Sequence, residues 1–140
     1  MSKVFWDTNL FIYLLEDYGV LSERVAEIRR QMLARNDQLC TSTLTLGEIL
    51  VKRQEIGDEA EMREFVQIVT SGAVVIPFDH KAARMYARVR QDRTNKPPDA
   101  IQLACAAAVG TDLFITNDKR LARKVVPGIH FVTLLENAYF

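Results

Sequence analysis

Short β-rich apolar runs alternate with amphipathic stretches from one end of the 140-residue chain to the other. The hydrophobic period switches between 2 and about 3.6 residues at each boundary, which neither an all-helical nor an all-strand domain would do. Lys3–Trp6, Gln38–Ser42, Ala73–Ile76, Asp112–Thr116 and Ile129–Thr133 read as strands. Helical stripes lie between them. Leu10, Phe11, Leu14 and Leu15 mark one over Thr8–Glu16, and Val25, Ile28, Met32 and Leu33 mark Ser22–Asn36 with Ser22 as N-cap. Leu46, Ile49 and Leu50 mark Thr43–Ile56, stopped by Gly57. Met62, Phe65, Val66 and Val69 mark Asp58–Ser71, capped by Asp58, and Ala83, Tyr86 and Val89 mark Asp79–Arg93. After the Pro97-Pro98 break, with Pro98 at a first helical position, Asp99–Val109 is Ala-rich and helical, and Asp118–Val125 forms a short helix. The expectation is an α/β fold of three layers. A mainly parallel central sheet of about four to five strands is flanked by helices on both faces. Residues 1–140 read as a single domain.

Eighteen basic and eighteen acidic residues leave no formal net charge, which argues against a strongly basic nucleic-acid binder but leaves room for a local basic patch. Cys40 and Cys105 sit in apolar or small-residue surroundings outside any CxxC pair, as reduced core thiols of a cytosolic protein do. No secretory leader is visible, and no apolar run approaches the ~18 residues that span a bilayer. The sequence therefore predicts a soluble, cytoplasmic protein without a membrane partner.

Four acids stand apart from ordinary surface charge. Asp7 ends the first strand, Glu48 lies inside TLTLGEILV, Asp99 opens a helix in KPPDAIQLACAA, and Asp118 follows the strand in TDLFITNDKRL. Taken singly, Asp7, Asp99 and Asp118 are explained by helix capping. Capping does not explain why a mid-helix Glu accompanies them. In a parallel sheet all carboxyl ends of the strands share one edge, where ligands bind, and all four acids can reach it. Clustered carboxylates repel, and raised pKa values or bound cations must relieve them. An all-oxygen set without Cys or His favours Mg2+ or Mn2+, and phosphoryl chemistry suits such a site. His80 and His130 lie away from these motifs and read as structural or exposed. No GxSxG, GxxxxGK[ST] or GxGxxG is present.

The ordered set of DTN at Asp7–Asn9, Glu48 in TLGEIL, Asp99 in PPDAIQLA and ITND ending at Asp118 resembles the PIN domain family of metal-dependent ribonucleases. The match runs over the whole chain and is nearest to the compact VapC toxins of toxin–antitoxin pairs. The resemblance implies that Asp7, Glu48, Asp99 and Asp118 are catalytic and hold one or two Mg2+ or Mn2+ ions, with Glu48 binding metal or orienting the attacking water. It implies that Asn9, Thr43, Thr116 and Asn117 are supporting polar positions. It also implies cleavage of RNA, often tRNA or ribosomal RNA, to leave a 5′-phosphate, a homodimer, and inhibition by a cognate antitoxin. Trp6 is bulkier than the small aliphatic residue expected before DTN. Asp112 begins its strand and is assigned to the opposite edge, as a structural residue.

An acidic pocket needs a cationic rim to receive RNA. Lys52, Arg53, Arg93, Lys96, Lys119 and Arg120 lie near the acidic motifs and form the candidate phosphate-contacting group, with Arg90, Arg123 and Lys124 behind them. Phe65, Phe78, Tyr86 and Phe114 are assigned to the core. A phosphatase with a nucleophilic Asp would want a second Asp where Asn9 stands, and a receiver-like domain is a poor match. The remaining alternatives are a PIN-fold nuclease of RNA processing outside a toxin–antitoxin pair and an inactive RNA- or protein-binding PIN module.

Overall fold

In the computed structural model, which describes residues 1–140, β1 (Lys3–Trp6) is the middle strand of a five-stranded sheet. It pairs with β2 (Gln38–Ser42) through Val4 opposite Leu39, and with β4 (Thr111–Thr116) through Phe5 opposite Phe114. Outside these lie β3 (Val74–Ile76) beside β2 and β5 (Ile129–Leu134) beside β4. The order is β3-β2-β1-β4-β5 and every pairing is parallel.

The chain therefore winds outward from β1 to β3, then crosses back to β4 and continues to β5. Parallel crossovers are right-handed, so reversing the direction of winding forces the connecting helices onto the other face. The helices α1 (Thr8–Leu15), α2 (Val20–Arg35), α3 (Thr43–Ile56) and α4 (Glu59–Gly72) serve the outward half. Their core contains Val4, Trp6, Leu10, Ile28, Leu39, Phe65 and Ile115. The helices α5 (His80–Val89) and α6 (Pro97–Ala108) serve the return. Their core contains Phe5, Cys40, Ile76, Leu103 and Phe114. Strand alternation assigns the sides: Val4 and Trp6 face one core, and Phe5 between them faces the other. Phe5 and Phe114 stack across the β1–β4 pair with ring centroids 4.9 Å apart. Trp6 is fully buried against Phe11. The three-layer α/β expectation is thus met.

Local details differ from the sequence reading. Helix α2 starts at Val20 behind Gly19, and the Ser22 hydroxyl instead accepts from the Tyr18 N–H and donates to the Glu16 carbonyl, bridging the preceding turn. Helix α5 ends at Val89, four residues early, because Asn95 folds back to donate to the Val89 carbonyl while Arg90 donates to the Asn95 carbonyl. Asp118–Val125 holds only a 3-10 turn, Leu121–Arg123. Phe78 is 43% exposed, edge-on to Tyr86, rather than a core residue. Asp112 lies at the far edge, accepting from the Lys3 N–H. Cys40 and Cys105 are free and buried. No helix is long and apolar enough to cross a membrane.

Two glycines at positive φ separate backbone strain from steric clash. Gly57 caps α3 at φ +78 with open space around it, whereas Gly128, at φ +97, would place a Cβ 2.9 Å from the Ala107 carbonyl oxygen of α6. Gly57→Ala is expected to cost about 1 kcal/mol. Gly128→Ala is expected to cost about 2–3 kcal/mol, strain plus displacement of α6. Urea unfolding of both variants checks the difference, and equal costs would show that the turn shifts freely away from α6.

Candidate active site

Asp7 stands at the carboxyl end of β1, next to the point where the direction of winding reverses, which is where parallel α/β sheets open a crevice. Its backbone N–H donates to the Ile115 carbonyl on β4, extending the sheet by one bond. Its side chain caps α1: Oδ1 accepts from the Thr8 N–H at 2.9 Å, and Oδ2 accepts from the buried Thr116 hydroxyl at 2.8 Å. The Thr116 hydroxyl also accepts from the Asp118 N–H at 3.1 Å, linking two of the acids through one side chain.

The other acids arrive from three different connections. Glu48 projects from α3 about 100° round the helix from the buried Ile49, and the Thr8 hydroxyl holds its Oε1 at 2.5 Å. Asp99 lies in the first turn of α6, behind Pro97 and Pro98. Asp118 follows β4 and caps the next turn, accepting from the Arg120 N–H at 2.9 Å and the Leu121 N–H. Asp7, Asn9, Glu48, Asp99 and Asp118 line one open groove of about 320 Å³, floored by Thr8 and Gln102. All four acids of the sequence reading, with Asn9, therefore converge.

The electrostatics carry the mark of crowding. Burial, reinforced by the charges of Asp99 and Glu48, pushes Asp7 up to about 6 against the opposing bonds from Thr116 and Thr8. Asp99 is also raised, by burial and then by Asp118, while Arg120 and Lys96 pull it back. No three His, Cys, Asp or Glu side chains form a ready-made cation cage. The donors nevertheless suit a hard divalent cation. They are all oxygen, and Asp7 carries a buried charge that no cationic side chain neutralises.

The remaining residues of the sequence reading fall on both sides. Thr116 touches Asp7 directly, and Asn117 donates to the Tyr13 hydroxyl beside it. Thr43 does not reach the groove. As the first residue of α3 it is exposed, and Thr45, about 200° further round the helix, turns inward in its place. Lys96 and Arg120 flank Asp99, and Arg120 lies 3.7 Å from Asp118. Lys52, Arg93 and Lys119 are exposed and form no ion pair. Arg53 is withdrawn from the rim: it is 7% exposed, paired with Glu16 and Glu61, and packed on the Phe65 ring. Ion pairs with Glu16, the C-cap of α1, and Glu61 of α4 neutralise its charge internally, although its Nε finds no hydrogen-bond acceptor.

The sequence reading missed the layer beneath the acids. The Gln102 amide, 2% exposed, donates to the Thr8 hydroxyl at 3.0 Å and to Thr45 at 2.8 Å, and its carbonyl accepts from Ser42. The Thr41 hydroxyl donates to the Trp6 carbonyl at 3.0 Å and lies 2.8 Å from the Thr45 hydroxyl. Gln102 follows Asp99 by three residues on the same helix face, so one turn of α6 supplies both a groove acid and the support of Thr8, which holds Glu48. The available signal was a lone amide inside the apolar stretch IQLACAAA.

The PIN domain family profile matches residues 4–126. No curated protein matches the chain in sequence. Among solved structures, the chain is similar to VapBC2 from Rickettsia felis, bound to a DNA fragment of its promoter. That likeness has a TM-score of 0.75 at 16% identity, covering 94% of this chain and 98% of that one. It is also similar to DNA-bound VapBC from Salmonella typhimurium, with a TM-score of 0.69 at 21% identity, covering 96% and 99%. A toxin–antitoxin complex from Klebsiella pneumoniae aligns with a TM-score of 0.63 at 22% identity, covering 90% and 94%.

Two stability measurements test the site's construction. Because Asp7 binds its proton more tightly folded than unfolded, stability falls as pH rises from about 4 to about 6, and the full penalty remains above that. At about 1.36 kcal/mol per pH unit the penalty reaches about 3 kcal/mol at neutral pH. Metal-free Asp7→Asn is therefore expected to melt above wild type at pH 7.5 and to lose that advantage at pH 4; a parallel pH dependence of the two proteins would refute the assignment. Gln102→Leu leaves three hydroxyls short of a partner and is expected to cost about 2–4 kcal/mol in urea unfolding, despite its greater apolarity. A neutral effect would show that water replaces the amide.

Proposed function

This chain belongs to the PIN domain family, and from that premise we propose that it is a VapC-type endoribonuclease dependent on Mg2+ or Mn2+, the toxin of a toxin–antitoxin pair that inhibits translation. One observation carries the reading: Asp7, Glu48, Asp99 and Asp118, from four separate connections, line a single groove at the carboxyl edge of the sheet. The neighbours of similar fold are VapBC and toxin–antitoxin complexes, which favours a cognate antitoxin as partner. In this reading the whole chain acts as one cytoplasmic domain, as a homodimer, on an RNA such as tRNA or ribosomal RNA.

The acids would hold one or two ions. When bound, the ions supply positive charge to the phosphate and make a water molecule a stronger nucleophile. The chain's own part is placement. Thr116 and the Thr8 N–H fix both Asp7 oxygens in orientation while leaving lone pairs toward the groove. The Thr8 hydroxyl, itself held by Gln102, aims Glu48. Asp118 is fixed by the turn it caps, and Arg120 and Lys96 place positive charge beside the acids, where a phosphodiester must approach. Hydrolysis breaks the bond from phosphorus to the 3′-oxygen and leaves a 5′-phosphate. No side-chain base is required, consistent with both histidines being exposed, away from the groove.

Purified Asp7→Asn is expected to remain folded and to cleave RNA at least about 100-fold more slowly than wild type. EDTA is expected to abolish wild-type cleavage and Mg2+ or Mn2+ to restore it. Expression of wild type alone is expected to arrest growth, and the variant to be tolerated. An equally active variant or chelator-resistant cleavage removes the metal-nuclease reading; harmless expression of an active enzyme removes the toxin role alone.

A further inference from the structure

Beside the acidic groove lies a second cavity of about 640 Å³, within the range of about 300–1,000 Å³ typical of ligand sites. It lies between α5, the far end of α6 and the connection from β4 to β5. Its walls exist because α5 stops at Val89 and because Gly128 lets that connection close onto Ala107. Met85, Val89 and Val126 supply apolar surface. Four cations, Arg88, Arg120, Arg123 and Lys124, surround it against one acid, Asp92. Lys124 is committed to Asp92 at 2.9 Å, and Thr94 and Lys124 together hold Asp92 ionised, at about 2. Arg88 and Arg123 pair with no acid and are exposed. Arg120 belongs to both places. It lines the cavity, and its guanidinium lies 3.7 Å from Asp118 of the groove.

A cavity with unpaired guanidinium groups and an apolar surface, joined through a shared arginine to a phosphodiester-cleaving groove, matches the chemistry of one nucleotide. We propose that it binds a nucleotide of the RNA strand flanking the cleaved bond, phosphate to Arg88, Arg120 and Arg123, base against Met85, Val89 and Val126. This rests on the nuclease reading above. Arginine planes can stack on a base as well as pair with phosphate, so the lack of an aromatic platform in the lining does not forbid base binding. Through this site the protein would select substrate by what lies beside the cut rather than at it.

The test uses the double variant Arg88→Ala/Arg123→Ala and, as a control of equal charge loss, Arg30→Ala/Arg63→Ala on the opposite helices. Binding of a fluorescein-labelled, mixed-sequence single-stranded RNA is followed by anisotropy in the Asp7→Asn background, and cleavage is followed with Asp7 intact. The cavity variant is expected to bind about tenfold more weakly and to lose up to about 0.7 from the slope of log K against log salt, the share of the one phosphate the cavity holds. Its KM is expected to rise with kcat nearly unchanged, while the control tracks the parent. If wild type binds and cuts RNA but the cavity variant matches it, or if both double variants weaken alike, the nucleotide site is refuted and the nuclease reading stands. Loss of binding to polyglutamate with RNA binding intact would likewise refute it, in favour of an acidic peptide. If wild type neither binds nor cuts RNA, the nuclease reading fails and the site with it.

Discussion

Everything distinctive in this molecule follows from a single constraint: parallel strands must be joined by right-handed crossovers, and the chain reverses its direction of winding beside β1. The reversal sends α1 to one face and α6 to the other, so their starts diverge on either side of the β1 and β4 ends. No helix can fill the gap between them. Side chains that the sequence separates by as many as 111 residues, from Asp7 to Asp118, can then face one another without any long loop to carry them.

What occupies that gap is divided by depth. Below lies a neutral layer of hydroxyls and one amide, with nearly every polar atom bonded to another member. Above lie carboxylates that are only partly satisfied. A satisfied network is stiff, and the charged layer inherits its geometry from it. Asp7 belongs to both. It caps a helix, accepts from Thr116, and still carries a charge that its surroundings resist. Local stability is given up where chemistry requires a group that would rather be neutral, a common arrangement at functional sites.

The strands, their approximate ends and the four acids were legible from hydrophobic period and position alone, because each depends on near neighbours in the chain. What escaped depends on partners far away. Lys52 and Arg53 are adjacent cations on a helix with a weak apolar stripe, and nothing nearby distinguishes them. Glu16, just past the end of α1, and Glu61 of α4 draw Arg53 inward and leave Lys52 in water. Thr43 and Thr45 differ only in which way the first turn of α3 faces. The extent of α5 was overestimated because Val89 completes a good stripe, whereas its end is decided by Asn95 folding back six residues later. That early ending also opens the basic cavity, which gathers Arg88, Arg123 and Lys124 beside Arg120, a grouping that no local pattern in the chain displays.

The buried sulfurs have a practical consequence. Cys40 and Cys105 are almost wholly enclosed in one core, and burial holds both thiols above their ordinary range, Cys105 at about 11. Alkylating reagents need an accessible thiolate. The folded chain is therefore close to chemically silent toward maleimides, and one cysteine introduced on its surface would be a unique attachment point. Fluorophores, spin labels or photo-crosslinkers could be mounted there without first removing either natural residue, leaving the packing of the sheet against α6 untouched.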